Sequence, residues 1–315
     1  MRYKNIVKFI LILAFTTLAC GLSSPSSGNI PAVSSLTLAP VQVTVAFPTP
    51  SAPSLTLEQL KNAQYQLGTS DDHSMVQLAD GKYQRGADTT TLDYAQISST
   101  DFAAVGDLTG DGINEAAVMV FENYGGTGDF GFLTIYTNVN GLPVFLTSVL
   151  IDDRPKINSV AIENGEVYLD AITHGAQDPG CCPGLPTTRR YALVKNQLFM
   201  TNYTTAAPDG AKRVIEIQTP ANTTEATSNV KVSGTVSIAP FENNLTYVID
   251  DEGGNQLAAG PIPVAAPNPG APGTFDTTVA LSGIPLGTTV YLEIQDVSAA
   301  DGSWLAMDSV KLVVK

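Results

Sequence analysis

The chain has 315 residues, 16 Lys and Arg against 30 Asp and Glu, and a formal charge of −14 at neutral pH. Acidity of this degree argues against a nucleic-acid partner, because phosphate recognition needs a basic footprint. The length suggests two folded domains, and past the N-terminal region no stretch approaches the roughly 18 consecutive apolar residues of a membrane helix.

Residues 1–19 carry Arg2, Lys4 and Lys8, then the apolar run Ile10–Phe15, then Thr17-Leu18-Ala19. A basic start, an apolar run too short for a bilayer and a small residue before a cut make a secretory signal. The tetrad Thr17-Leu18-Ala19-Cys20 resembles the bacterial lipoprotein box, with Thr17 where that box prefers Leu. The resemblance implies that Cys20 is acylated, becomes the mature N-terminus and anchors the chain on the extracytoplasmic face of the cell membrane. The other reading is an ordinary cleaved signal with a cysteine close to the cut. The signal holds three of the 16 basic residues and no acidic ones, so the remainder carries a formal −17. With no polybasic patch for headgroups, membrane attachment would rest on the Cys20 lipid.

Residues 20–54 form a tether rich in Ser, Pro and Thr, with almost no charge and no apolar periodicity. Such a stretch buries too little surface to repay its ordering entropy, and its prolines make it a semi-rigid spacer. Residues 55–203 then read as an α+β domain. Leu57, Leu60, Ala63, Gln64 and Leu67 recur at helical spacing behind a cap at Ser54 or Thr56, and Gly68 closes the helix. Strands are predicted at 75–78, 82–84, 92–97, 103–108, 116–122, 130–139, 144–151, 160–163, 167–172 and 190–194. The pairs Asp80-Gly81, Asn140-Gly141 and Asn164-Gly165 mark hairpin turns between strands.

A second linker is expected over 204–212. Residues 213–315 show no helical stretch, and short strands recur at 214–218, 229–236, 245–250, 273–281, 289–296 and 308–314, as in a β-sandwich. Ile217–Pro220, Val232–Gly234, Phe241–Leu245, Asp250–Gly254, Gly273–Phe275 and Ser298–Gly302 stand in the order and spacing of one family. On these motifs the segment resembles the immunoglobulin-like domain of bacterial spore germination proteins. The resemblance implies a sandwich serving as a non-catalytic accessory or binding module. Residues 56–200 resemble uncharacterised lipoprotein domains of the bacterial envelope through Gly106–Gly112, Arg154–Ile162, Thr173-His174 and Asp178–Pro183.

The richest site motif is Asp107–Glu115. Side-chain oxygens of Asp107, Thr109, Asp111 and Glu115 fall at loop positions 1, 3, 5 and 9, Ile113 offers a carbonyl at position 7, and Gly112 sits at position 6. Calcium takes six or more oxygens from a sharply bent loop, so a structural Ca²⁺ is one expectation. The stretch looks like the calcium loops of integrin-type FG-GAP repeats and dockerins, which place Asp or Asn where Thr109 stands. A Gly-rich turn with solvated carboxylates is the other. With Cys20 lipidated, Cys181 and Cys182 have only each other as partners, so a bridge between neighbours that stiffens the 179–186 loop is expected in an oxidising compartment, with free thiols as the other reading. A metal held by His174, Asp178, Cys181 and Cys182 fits no zinc spacing. Gly125–Gly128 lacks the ending of a phosphate loop, and no G-x-S-x-G element occurs. Trp304 reads either as sandwich-edge packing or as a ligand-contact aromatic.

These observations point to a lipid-anchored extracytoplasmic protein that binds or scaffolds without catalysis at the cell envelope, its partners the membrane and an envelope protein or polysaccharide. The alternative is a hydrolase of envelope polymers, using paired carboxylates of the 55–203 domain.

Overall fold

The computed structural model describes residues 53–68 and 73–315; the signal segment, Cys20 and the tether as far as residue 52 lie outside them. Helix α1 (Leu57–Lys61) starts on a reciprocal capping box. The Thr56 hydroxyl accepts from the Gln59 amide at 3.2 Å, and Gln59 Oε1 accepts from the Thr56 amide at 2.8 Å. The apolar spacing predicts a helix as far as Leu67, but the chain turns at Asn62 and enters strand β1 (Gln64–Gln66). This strand pairs antiparallel with β2 (Met75–Gln77). Ala63, Tyr65 and Leu67 are buried nonetheless. Their spacing of two is the strand period, which the overlapping helical spacing conceals.

Five strands follow as an antiparallel meander, hydrogen-bonded in chain order: β3 (Lys82–Arg85), β4 (Ala95–Gly106), β5 (Glu115–Asn123), β6 (Phe130–Val139) and β7 (Leu142–Asp153). The sequence suggests two strands where β4 is one, because its register against β5 shifts between Ser99 and Ala103 and interrupts the alternation. Strand β5 is the centre of this part. Every residue from Glu115 to Val120 is buried. Ala116, Val118 and Val120 meet Leu60, Tyr65, Leu67 and Tyr136, whereas Ala117 and Met119 face the opposite layer.

That opposite layer is β8 (Lys156–Glu163), β9 (Glu166–Thr173), β10 (Leu185–Val194) and β11 (Gln197–Ala206), again paired in order. Val167, Leu169, Ala171 and Tyr191 close the core over Met119, Leu133 and Ile135. The N-terminal part is therefore α+β: a short helix and hairpin, a five-stranded sheet, and four strands of a second sheet.

The rest of the chain is all-β apart from a 3₁₀ turn at Phe241–Asn243. Its strands are β12 (Lys212–Arg213), β13 (Ile215–Thr219), β14 (Thr224–Ala226), β15 (Asn229–Val236), β16 (Asn244–Asp251), β17 (Gln256–Pro263), β18 (Gly273–Ala280), β19 (Thr289–Val297) and β20 (Trp304–Val314). Strands β13, β15 and β18 form one sheet, and β17, β16, β19 and β20 belong to the other. Val232, Phe275, Leu245, Ile249, Val290 and Leu292 fill the space between them as a sandwich core.

The two parts share a sheet. Strand β11 pairs with β20 through Asn202–Asp308, Tyr203–Met307 and Thr204–Ala306, so the strand order runs β17-β16-β19-β20-β11-β10-β9-β8 without a break. The segment expected as a linker is folded into this seam. Residues 204–206 complete β11, and Lys212–Arg213 double back on it as β12. Side chains stitch the join. Asp308 accepts from Asn202 Nδ2 at 3.0 Å and from the Ile217 amide at 2.8 Å, and Thr205 Oγ1 donates to the Leu305 carbonyl at 2.6 Å. Arg213 pairs with the buried carboxylate of Asp296 at 2.5 Å.

Burial raises the Asp308 pKa against the opposing pull of these amide donors. Truncation would leave two donors without their acceptor. Asp308→Ala is expected to lower stability by about 1–3 kcal/mol in urea melts, with Asp308→Asn losing clearly less.

Candidate functional site

Three connections meet at one end of the seam: the loop 174–184 between β9 and β10, the turn 207–211 between β11 and β12, and the turn 298–303 between β19 and β20. Between them lies an open cleft of about 930 Å³. Its lining includes Tyr203, Arg189, His174, Asp178, Asp301 and Trp304, drawn from both parts of the chain.

Each of these side chains has a defined anchor. Arg189 and Tyr203 are direct cross-strand neighbours on β10 and β11, and the guanidinium carbon lies 5.4 Å from the tyrosine ring centre. Arg189 also donates to the Ile151 carbonyl at 3.1 Å, yet its Nε is buried without a partner among the described residues. His174 Nδ1 lies 3.0 Å from Asp152 Oδ2, which also accepts the His174 amide; His174 Nε2 is buried and likewise unpartnered. Asp178 Oδ2 accepts from the amides of Gly175 and Gly184 at 2.8 and 2.7 Å, which closes the loop on itself. Asp301 Oδ1 accepts from the amide and hydroxyl of Ser303. Trp304 opens β20 and is 36% exposed.

The acids of this cleft are poised alike. Backbone amides hold Asp178 below the usual carboxylate range, and the serine hydroxyls and amide of the 298–303 turn hold Asp301 there too. Glycosidic hydrolysis requires one carboxyl that keeps its proton beside one that has lost it. Two depressed acids do not supply that asymmetry. Elsewhere in the N-terminal part, the buried Glu122 accepts from the hydroxyls of Tyr65 and Tyr124 and the amide of Gly68, which is a structural arrangement.

The Asp107–Glu115 loop connects β4 to β5 as a self-closed turn. Asp107 accepts from the amides of Thr109, Gly110 and Gly112, and these bonds hold its pKa down. Gly110 and Gly112 have φ of 80° and 84°, which aims those amides inward. Asp111 Oδ1 accepts from the Ile113 amide. Glu115 is buried, and its Oε2 accepts from the Leu108 amide; desolvation raises its pKa. Among the described residues no group of three or more His, Cys, Asp or Glu is disposed to hold a metal ion. Cys181 and Cys182 are disulfide-bonded and exposed, with the Cys182 amide donating to the Pro179 carbonyl at 2.8 Å. They hold no free thiolate beside His174.

A second feature of the seam, not anticipated from the strand pattern, lies under the β10–β11 hairpin. Phe199 stacks on Tyr291 with centroids 4.2 Å apart, and Lys195 reaches Glu252 at 3.0 Å. Glu293 on β19 is thereby 4% exposed, bonded to Gln295, with its pKa pushed by burial up to about 7. Asp250 on β16 lines the same pocket, and burial raises its pKa as well.

A β-rich chain in which an α+β part and an immunoglobulin-like sandwich share one sheet is the class these features define. Residues 214–303 match the family model described as the immunoglobulin-like domain of bacterial spore germination. No curated protein matches the chain.

A carboxyl raised on folding opposes stability once it ionises in the native state, so Glu293 destabilises the fold as pH climbs from about 4.5 through about 7. Glu293→Gln should raise stability above pH 7.5 by on the order of 2 kcal/mol and leave it little changed near pH 4, measured by urea melts across pH. For the 107–115 loop, Asp107→Ala should lower the melting temperature in chelator as well as in calcium, because its amide bonds need no cation. A calcium-dependent gain in melting temperature that Asp111→Ala abolishes would instead assign the loop to a bound Ca²⁺.

Proposed function

We propose that the chain is a lipoprotein anchored through Cys20 to the extracytoplasmic face of the cell membrane, and that its folded part is a non-catalytic binding or scaffolding module at the cell envelope. The match of residues 214–303 to an immunoglobulin-like domain carries the binding part of this reading. Such a sandwich presents loops at its ends and supplies recognition surface without chemistry of its own.

The N-terminal sequence supports this mode of attachment. An acylated Cys20 followed by a proline-containing spacer would hold a folded body away from headgroups, and a formal −17 on that body opposes adsorption to an anionic surface. The seam between the two parts then matters for display. A partner meets one body with a fixed cleft, where a jointed pair of domains would first lose orientational freedom.

Cys20→Ser in the full chain is expected to shift the protein from the membrane fraction to the soluble extracytoplasmic fraction. Unchanged membrane retention of that variant would rule out lipid anchoring at this residue.

A further inference from the structure

The cleft at the end of the seam has a composition that selects among partners, and the identity of its ligand rests on the binding role proposed for the folded part. We propose that it takes an acidic saccharide: a sugar ring bearing a carboxylate, presented by an envelope polymer.

The cation comes first. In a chain with 30 acids to 16 bases, at least seven Lys and Arg side chains of the described residues pair with a carboxylate. Arg189 does not use one. Its bonds go to the Ile151 carbonyl and, at 3.5 Å, to Thr173 Oγ1, both neutral, while its plane rests near the Tyr203 ring. Arg189 Nε and His174 Nε2 are the two buried side-chain nitrogens without a partner among the described residues, and both belong to residues lining this cleft. The Arg189 Nε–H is a buried donor without an acceptor, which costs stability, and a ligand carboxylate offers an arginine the geometry it fits best. Arg213 is a poorer receptor, because Asp296 already engages it.

The rim supplies the complementary features. Trp304, half in and half out of the surface, offers an aromatic face to the C–H face of a sugar ring. Asp178 and Asp301 line the same cleft as ionised acceptors, held so by amides and hydroxyls of their own turns. Sugar hydroxyls donate to such carboxylates. A simple anion or the acidic face of a peptide has no hydroxyl array to offer them and would be repelled. A cation, ionised acceptors and an aromatic platform lining one cleft fit a ring that carries both a carboxylate and hydroxyls.

Trp304 is the only tryptophan in the chain, so tryptophan fluorescence of the full-length protein reports on this cleft and on the neighbouring Glu293 pocket that Trp304 also lines. The probes are a galacturonate trimer, an N-acetylmuramate-containing disaccharide and a neutral galactose trimer. The two acidic probes distinguish a uronate polymer from a cell-wall glycan as the source of the carboxylated ring. Saturable change with at least one acidic probe is expected, with the neutral trimer bound at least about tenfold more weakly. Arg189→Gln should lose about tenfold for the acidic probe and close the gap to the neutral one. Because Arg189 is packed, Trp304→Ala provides a second variant at a half-exposed position, followed by calorimetry, and it should weaken the same probe by a similar factor. No saturable response to either acidic probe, equal binding of the neutral trimer, or undiminished binding in a folded Trp304→Ala protein would overturn the proposal. If Cys20-dependent membrane retention persists alongside any of those results, the saccharide assignment falls and the lipid anchor stands.

Discussion

The pairing of β11 with β20 is the interaction on which the rest of the structure depends. Three residue pairs join two sheets that would each present an open edge, the kind of edge that soluble proteins must cover or blunt. The join buries polar groups that then need partners: Asp308 between Asn202 and Ile217, Asp296 against Arg213, and Thr205 on Leu305. It also brings the β10–β11 hairpin over the outer face of the sandwich, where Phe199 and Tyr291 meet and Glu293 loses its water. The cleft exists because of this geometry. The loop 174–184 and the turn 298–303 are more than 100 residues apart in sequence, and only the shared sheet sets them side by side.

Much of the strand pattern is legible without coordinates. Strands β6 and β15 are read at their observed limits, and the turns at Asp80-Gly81, Asn140-Gly141 and Asn164-Gly165 have positive φ at both positions, as the Asx-Gly pairs indicate. The sequence-level frame of motifs in the C-terminal part agrees with the family match over residues 214–303. What is not legible has a local cause. Strand β11 follows the turn Lys195-Asn196, which adopts φ of 48° and 65° with no glycine to announce it. Residues 204–211, rich in Thr, Ala and Pro, look like a linker, because nothing in a one-dimensional pattern shows that Thr204 faces Ala306 across a seam.

The site follows the same division. His174, Asp178 and Trp304 stand out in the sequence as rare or oddly placed residues, whereas Arg189 on β10 and Tyr203 on β11 belong to no motif. Their meaning comes from register: they are cross-strand partners, and the face they share opens on the cleft. The oxygen-rich loop at Asp107–Glu115 shows the converse. Its spacing fits a cation, and the same carboxylates also organise the turn: Asp107 accepts from the amides of Gly110 and Gly112, and Glu115 from the Leu108 amide. Spacing alone does not separate a carboxylate that organises a turn from one that waits for a metal.

Amide hydrogen exchange across the seam tests the shared sheet most directly. A continuous ten-stranded sheet requires that the hydrogen-bonded amides of residues 202–204 and 306–308 exchange as slowly as those in the centres of β5 and β19. Exchange at the rate of the exposed 298–303 turn, with both cores still protected, would mean two independently tethered domains and no fixed cleft.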